Sequence, residues 1–231
     1  MIILNQVSKS YAPKGRQLVP AVHEVSLRIS RGEFLVITGR SGSGKTTLLN
    51  MVAGLAQPTS GEVLIDDVDL WKLTDAERSA LRNRKMGFIF QYPSLLQSLT
   101  TLENVVLPTM FARGGARSEI YARAEKLLAE VGLSDKLSAY PRHLSAGQQQ
   151  RVVVARSLIN GPELLLADEP TSNLDEQTER EIITMFQDIH ARSGITILLV
   201  THAGQLVTQG TRNVHMVSGF ITMDNGVHDP G

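Results

Sequence analysis

Two kinds of apolar pattern alternate along the chain. Short unbroken runs read as buried strands, and apolar residues recurring every three or four positions read as helices. Glu33 to Thr38 is such a run, and Thr47 to Ala53 follows it with helical spacing and stops at Gly54. Ile2 to Val7 reads as a short strand, and Val25, Leu27 and Ile29 alternate onto one face of another. Ser10 to Arg16 between them is a turn-rich loop holding one aromatic, Tyr11. Gln57 to Gly61 is a turn, Glu62 to Ile65 a strand, and Asp66-Asp67 a turn candidate. From Leu70 to about Gly161 the pattern is mainly helical, with one apolar strand at Met86 to Phe90. Thr74 with Glu77, and Thr100 with Glu103, have capping-box spacing, so helices are predicted to start there. Arg117 to Val131 places Ile120, Ala124, Leu127, Leu128 and Val131 on a helical stripe that Gly132 would end. A helix over Gln149 to Asn160 is closed by Gly161-Pro162. Leu164 to Ala167 is a buried strand, and Asp175 to Arg192 an amphipathic helix. Ile195 to Val200 is the next strand, and Val214–Val217 with Phe220–Met223 form a closing hairpin about Ser218-Gly219. The tail from Asp224 is expected to fray.

Composition narrows the class. With 42% hydrophobic and 20% charged residues the chain suits a globular protein. Its 23 basic and 23 acidic residues cancel, which gives no support for a general nucleic-acid or anionic-membrane surface. The absence of cysteine excludes a disulfide framework and a thiolate metal site, and fits a reducing compartment. No apolar run approaches the roughly eighteen residues of a spanning helix. Met1 to Gln6 is too short and uncharged for a signal peptide. The expectation is a soluble, cytosolic chain whose membrane attachment, if any, comes through a partner.

The sharpest chemistry lies between the first unbroken run and its helix. Gly39-Arg40-Ser41-Gly42-Ser43-Gly44-Lys45-Thr46 fits G-x-x-x-x-G-K-[ST] in the strand–loop–helix context that a phosphate-binding loop needs. Gly39, Gly42 and Gly44 let the backbone curl so that N–H groups converge on phosphate oxygens. The helix N-terminus adds positive potential, Lys45 supplies a compact charge, and the Thr46 hydroxyl can ligate Mg²⁺. A second site follows Leu164 to Ala167, where two carboxylates stand at a strand's carboxyl end, the edge at which open α/β sheets bind ligands. Asp168 is placed to hold Mg²⁺, directly or through water, and Glu169 to orient or deprotonate a water. His202 ends the next strand at the same edge and can bond a phosphate or a carboxylate. Weaker signals have two readings. Tyr11 is either a stacking platform for a base or an ordinary half-buried tyrosine. Gln91, after the apolar strand, is either a ligand contact or solvated. Ser145 and Gln148 are either a capped helix start or, with Gly147, a second phosphate site. His23, His143, His190, His215 and His228 are left as surface or packing residues.

Taken together, these residues resemble the ATP-binding subunit of ABC transporters over essentially the whole length. The resemblance rests on the phosphate loop, Gln91 as the Q-loop, and Leu144-Ser145-Ala146-Gly147-Gln148 as the signature. It extends to Leu164 to Glu169 as the Walker B strand, Ser172-Asn173-Leu174-Asp175 as the D-loop, and His202 as the switch histidine. It implies an α/β fold: a P-loop NTPase mixed-sheet core with an N-terminal antiparallel β portion and a helical subdomain insertion. One nucleotide-binding domain would cover 1–231, with a RecA-like core at about 1–90 and 162–231 and the helical subdomain at about 91–161. It implies ATP and Mg²⁺ as ligands. Tyr11, Gly39 to Thr46 and Thr47 would contact the nucleotide with Gln91, Ser145, Gly147, Gln148 and Asp168. Thr46, Gln91 and Asp168 would contact the metal. Glu169, His202, Lys45 and Gln91 would carry catalysis. It implies two partners, a second copy in the ATP-bound state and a separately encoded membrane permease, and no nucleic acid. The location implied is the cytoplasmic face of the inner membrane, with docking around Gln91 to Pro108. Gly87 to Gln91, Leu102 to Pro108 and the long loop after Tyr11 are similar to the macrolide-export, lipoprotein-release and haem-export group, with its related cell-division ATPase. That points to a motor for export or extraction of hydrophobic or amphiphilic substrates; a mechanical signalling ATPase acting on cell-wall hydrolases, or an importer motor, is the alternative. Ala146 stands where the family usually has glycine and Ala203 where it usually has aspartate, which bears on closure and on one hydrogen bond of the switch.

Overall fold

A computed structural model describes residues 1–12, 18–111, 116–203 and 208–226. In chain order the elements are β1 (Ile2–Tyr11), β2 (Val19–Ile29), β3 (Phe34–Thr38), α1 (Lys45–Val52), β4 (Ser60–Ile65) and β5 (Val68–Asp69). Next come α2 (Asp75–Lys85), β6 (Met86–Ile89), α3 (Thr101–Val106), a 3-10 turn (Leu107–Phe111), α4 (Arg117–Glu130) and a second 3-10 turn (Pro141–His143). The chain closes with α5 (Ala146–Leu158), β7 (Leu164–Asp168), α6 (Glu176–Ser193), β8 (Thr196–Thr201), β9 (Arg212–Val217) and β10 (Phe220–Asp224). They fall into two compact units, Met1–Arg78 with Thr196–Gly231, and Ser79–Ile195. The fold is α/β.

The first unit carries an antiparallel sheet in the order β2-β1-β4-β5. Its β1 and β2 are longer than the apolar alternation predicts. Gln6 and Glu24 sit at positive φ (47° and 42°) at register shifts, so each strand changes face midway and the period of two is lost. Tyr11 is the last strand residue, paired with Val19, and not part of the loop expected from Ser10 onward; residues 13–17 of that loop lie outside the described residues. Asp66 and Asp67 are both left-handed (φ 48° and 63°), the two-residue turn that joins β4 to β5. The same unit holds β3 between β8 and β9, both parallel to it, and the β9–β10 hairpin. β3 is buried at every position, as a strand covered on both faces must be. The predicted fraying from Asp224 fails for the described residues: Asp224 receives two bonds from Arg212 (2.7 and 2.5 Å) and one from the Gly226 N–H (2.9 Å). Arg212 also bonds Glu33 (3.0 Å), and these carboxylates raise its pKa. Residues 227–231 lie outside the described set.

In the second unit β6 and β7 pair in parallel, and α5 packs on β6 while also touching α3, α4 and α6. Val152, Val153, Val154 and Ala155 of α5 are all fully buried. The helix begins at Ala146, three residues before the predicted start, because the Ser145 cap already satisfies its first turn. The capping boxes at Thr74/Glu77 and Thr100/Glu103 form as predicted.

Candidate functional site

The phosphate loop of the first unit connects β3 to α1, and its shape is set from outside the motif. Gly39 (φ 153°) and Gly44 (φ 99°) lie where side chains are strained. A Cβ on Gly39 would overlap the Met216 carbonyl oxygen, and one on Gly44 the Ala21 carbonyl oxygen. The Gly219 N–H donates to the Ser43 carbonyl (3.0 Å), and the Ser43 N–H to the Arg40 carbonyl (3.1 Å). Ala21, Met216 and Gly219 thus form a collar around the loop. Inside it Lys45 is only 5% exposed, and its ammonium donates to the carbonyls of Gly39 (2.8 Å) and Arg40 (3.2 Å). The Ser43 Oγ is buried with no hydrogen-bond partner. A cradle with no room for Cβ, a folded-in lysine and a buried hydroxyl without a partner fits an anionic phosphate ligand. Arg40, Ser41, Gly42 and Thr46 are exposed, and Thr47 is half-buried.

Two further predicted residues belong to this unit. Thr38 and Thr201 are register partners in β3 and β8, so Gly39 and His202 leave the sheet side by side. The Ala203 N–H donates to Thr201 Oγ1 (3.0 Å), an anchor that needs no side chain at Ala203. Tyr11 is 43% exposed, and its hydroxyl lies 3.5 Å from Thr47 Oγ1 in the first turn of α1. The Lys9 ammonium sits over its ring, 5.2 Å from the centroid. Sequence reading missed His215: its Nδ1 is 2.9 Å from Thr38 Oγ1, at the root of the phosphate loop. Only the pairing of β9 with β3 reveals that, since His215 is 177 positions from Thr38.

In the second unit Asp168 ends β7 with 9% exposure, and Glu169 follows in the left-handed region (φ 46°). That conformation, together with the bond from the Ser172 N–H to the Glu169 carbonyl (3.2 Å), turns the chain sharply out of the strand. Ile89 pairs with Ala167, so Gln91 departs from the same edge as Asp168. The Asn173 amide donates to the Gln91 carbonyl (3.4 Å). At the start of α5 both halves of a capping box are made: the Gln148 N–H donates to Ser145 Oγ (3.2 Å), and the Ser145 N–H to Gln148 Oε1 (3.0 Å). Ala146 is the first helical residue, where alanine is sterically acceptable. Gly147 has a stricter neighbour, since a Cβ there would lie 2.5 Å from Thr178 Cγ2. Thr178 in turn is bonded through its N–H (3.0 Å) and its hydroxyl (2.7 Å) to Asp175, the N-cap of α6. Those bonds hold the Asp175 carboxyl below its ordinary value. Thr178 and Asn173 therefore tie the helix start at Ser145 and the Gln91 segment to Ser172–Asp175, contacts no local pattern signals. Among the described residues no group of three or more His, Cys, Asp or Glu could hold a metal by itself. Mg²⁺ in phosphate sites typically takes one or two carboxylates and completes its shell with phosphate and water.

A family model described as ABC transporter matches residues 22–172. The chain is 42% identical to the lipoprotein-releasing system ATP-binding protein LolD of Syntrophotalea carbinolica, over 96% of this chain and 97% of that one. It is 44% identical to the macrolide export ATP-binding/permease protein MacB of Syntrophobacter fumaroxidans, over 98% of this chain but only 32% of that protein. The chain spans about a third of the length of the macrolide export proteins it matches. Among solved structures it is similar to the dimeric post-hydrolysis state of the ATP-binding cassette MJ0796 bound to ADP and Pi. The TM-score is 0.89 and the identity 39%, with 97% of both chains covered.

Proposed function

The chain belongs to the ABC transporter family, and from that premise we propose that it is the ATP-hydrolysing subunit that powers a membrane permease. The observation that carries the proposal is the collared phosphate loop with Lys45 folded in and Ser43 Oγ left without a partner. The proposed domain is the whole of 1–231, with a RecA-like core at about 1–90 and 162–231 and a helical subdomain at about 91–161. Lys45 exchanges its bonds to the Gly39 and Arg40 carbonyls for phosphate oxygens, and Tyr11 receives the base. Mg²⁺ would be held by Thr46, Gln91 and Asp168 and would neutralise charge on the phosphate oxygens. Glu169 positions or deprotonates the attacking water, and His202 bonds the terminal phosphate. Ser145 and Gly147 face the nucleotide of a second copy, in keeping with the dimeric ADP- and Pi-bound relative. No helix of the described residues is long and apolar enough to cross a membrane. Attachment to the cytoplasmic face of the inner membrane would come through a permease encoded separately, a reading supported by the likeness to the ATP-binding protein LolD over 97% of its length.

The permease contact is the groove of about 500 Å³ lined from α2, β6, the Leu107–Phe111 turn and α5. Phe90, Leu96, Met110 and Phe111 are all exposed in this unit, a concentration that suits a docking surface. The names of the relatives, lipoprotein release and macrolide export, support extraction or export of a hydrophobic or amphiphilic cargo. The test is Glu169→Gln. It should retain ATP, accumulate as a dimer in size-exclusion chromatography with ATP, and turn over at least a hundredfold more slowly, the scale on which a lost acid–base group acts (about 10²–10⁴-fold). Turnover at the unmodified rate would remove Glu169 from the chemistry, and undiminished ATP affinity in Lys45→Ala would remove the phosphate loop.

A further inference from the structure

The docking groove is asymmetric in charge. Phe88, Phe90, Leu107 and Phe111 give it apolar walls, Arg82 and Arg156 both line it, and among the described residues no aspartate or glutamate does. Arg156 is the more telling of the two cations. It is half-buried on α5, and among the described residues its bonds go only to Ser94: Nη1 to the carbonyl (2.7 Å) and Nη2 to the hydroxyl (3.1 Å). Burial lowers its pKa with no carboxylate to offset the effect, yet a guanidinium stays charged in proteins. A guanidinium has five N–H donors in a planar fork, and Ser94 engages two nitrogens through neutral acceptors. What remains is a partly desolvated cation lining an apolar cleft, with donors to spare and no counter-charge among the described residues. Its natural complement is a carboxylate, the acceptor whose geometry matches the fork and whose bond to it is charge-assisted.

We infer that the groove takes a cytoplasmic segment of the membrane partner bearing apolar side chains on one face and a carboxylate, and that this carboxylate pairs with Arg156. The inference rests on the permease reading above and gives the contact its chemistry. It also gives the contact an inward connection. Ser94 follows Gln91 by three residues, so one guanidinium meets both the incoming acid and the segment that carries Gln91.

The test uses the whole chain as bait for phage-displayed random peptides. The recovered peptides should combine aromatic or aliphatic anchors with an aspartate or glutamate at a fixed offset from them. Replacing that acid by its amide in the synthetic peptide should weaken binding roughly tenfold or more, the scale of a hydrogen bond to a charged group. Arg156→Gln should weaken the acidic peptide to the level of its amide version and leave the amide version unaffected, while Arg156→Lys should restore part of the loss. Phe111→Asp alters a groove residue that is 79% exposed, so the fold tolerates it, and it should abolish all groove binding. Peptides blocked by Phe111→Asp but indifferent to the acid-to-amide change would overturn the carboxylate and leave the docking groove standing. Absence of any peptide sensitive to Phe111→Asp would overturn the groove as a docking surface, and the carboxylate with it.

Discussion

Adding one methyl group at Gly147 sets two local effects against each other. Gly147 is the second residue of α5, in its first turn, so alanine there improves intrinsic helix stability by at most about 1 kcal/mol, the figure for a helix interior. The new Cβ, however, stands 2.5 Å from Thr178 Cγ2, where something must move. Turning the Thr178 side chain away breaks its hydroxyl bond to Asp175 (2.7 Å), a bond to a charged acceptor worth about 1.5–3 kcal/mol. Keeping the rotamer instead pushes α5 away from α6, at an overpacking cost of about 1–3 kcal/mol. Over most of these ranges either route outweighs the helix gain, and Gly147→Ala should be destabilised by about 0.5–2 kcal/mol, a fall of ~1–8 °C in Tm at this chain length. The discriminating variant is Gly147→Ala with Thr178→Ser, which deletes the offending methyl and keeps the hydroxyl on Asp175. Thermal melts followed by far-UV circular dichroism should show the pair recovering most of the loss, a coupling of at least about 0.5 kcal/mol. ATPase activity answers a separate question. If Gly147 also presses against a nucleotide on a second copy, the double variant regains its melting temperature and stays slow. A Gly147→Ala protein as stable as the parent, or a double variant no better than the single one, would refute the Thr178 clash.

At Gly44, alanine meets both left-handed strain and the Ala21 carbonyl, each costing about 1–3 kcal/mol; Gly44→Ala should weaken ATP binding at least tenfold by calorimetry, and unchanged affinity would show that the collar yields. The capping carboxylates Glu77, Glu103 and Asp175 titrate below their ordinary 4.5, 4.5 and 3.8, held down by bonds from Thr74, Thr100 and Thr178. Depressed values mean that their stabilisation is complete above those pH values and is lost as pH falls through the lower folded ones. Replacing them together by Gln, Gln and Asn keeps hydrogen-bonding side chains and removes the titration, so helix loss on acidification should become shallower; an acid transition of unchanged steepness would contradict the assignment.

Most of the second unit is legible in the sequence because its signals are local. Leu164–Ala167 is an unbroken apolar run, and the Thr100/Glu103 and Ser145/Gln148 pairs announce their helices within four residues. The phosphate loop is legible for the same reason, as its glycines and lysine are contiguous. What surrounds it is not. Ala21, Met216 and Gly219 reach the loop only through pairing of distant strands, and none carries a residue type that points to phosphate chemistry. Likewise, the alternation of β1 and β2 is reset at Gln6 and Glu24, so a period-of-two reading finds only the portions next to the core. Asp224 looked like the start of a loose tail because its anchor, Arg212, is a charged partner across a hairpin and not a hydrophobic one.

The order in which the polypeptide leaves the ribosome gives the Ser43–Gly219 bond a further meaning. When Gly39 to Thr46 emerge they already spell the complete nucleotide-gripping phrase, but β8 and β9, the strands that flank β3, begin only at Thr196 and Arg212. Until the last hairpin is made, the loop has neither Met216 beneath it nor Gly219 to hold it. A growing chain thus carries the whole motif without the collar that shapes it until β9 and the turn at Gly219 have followed.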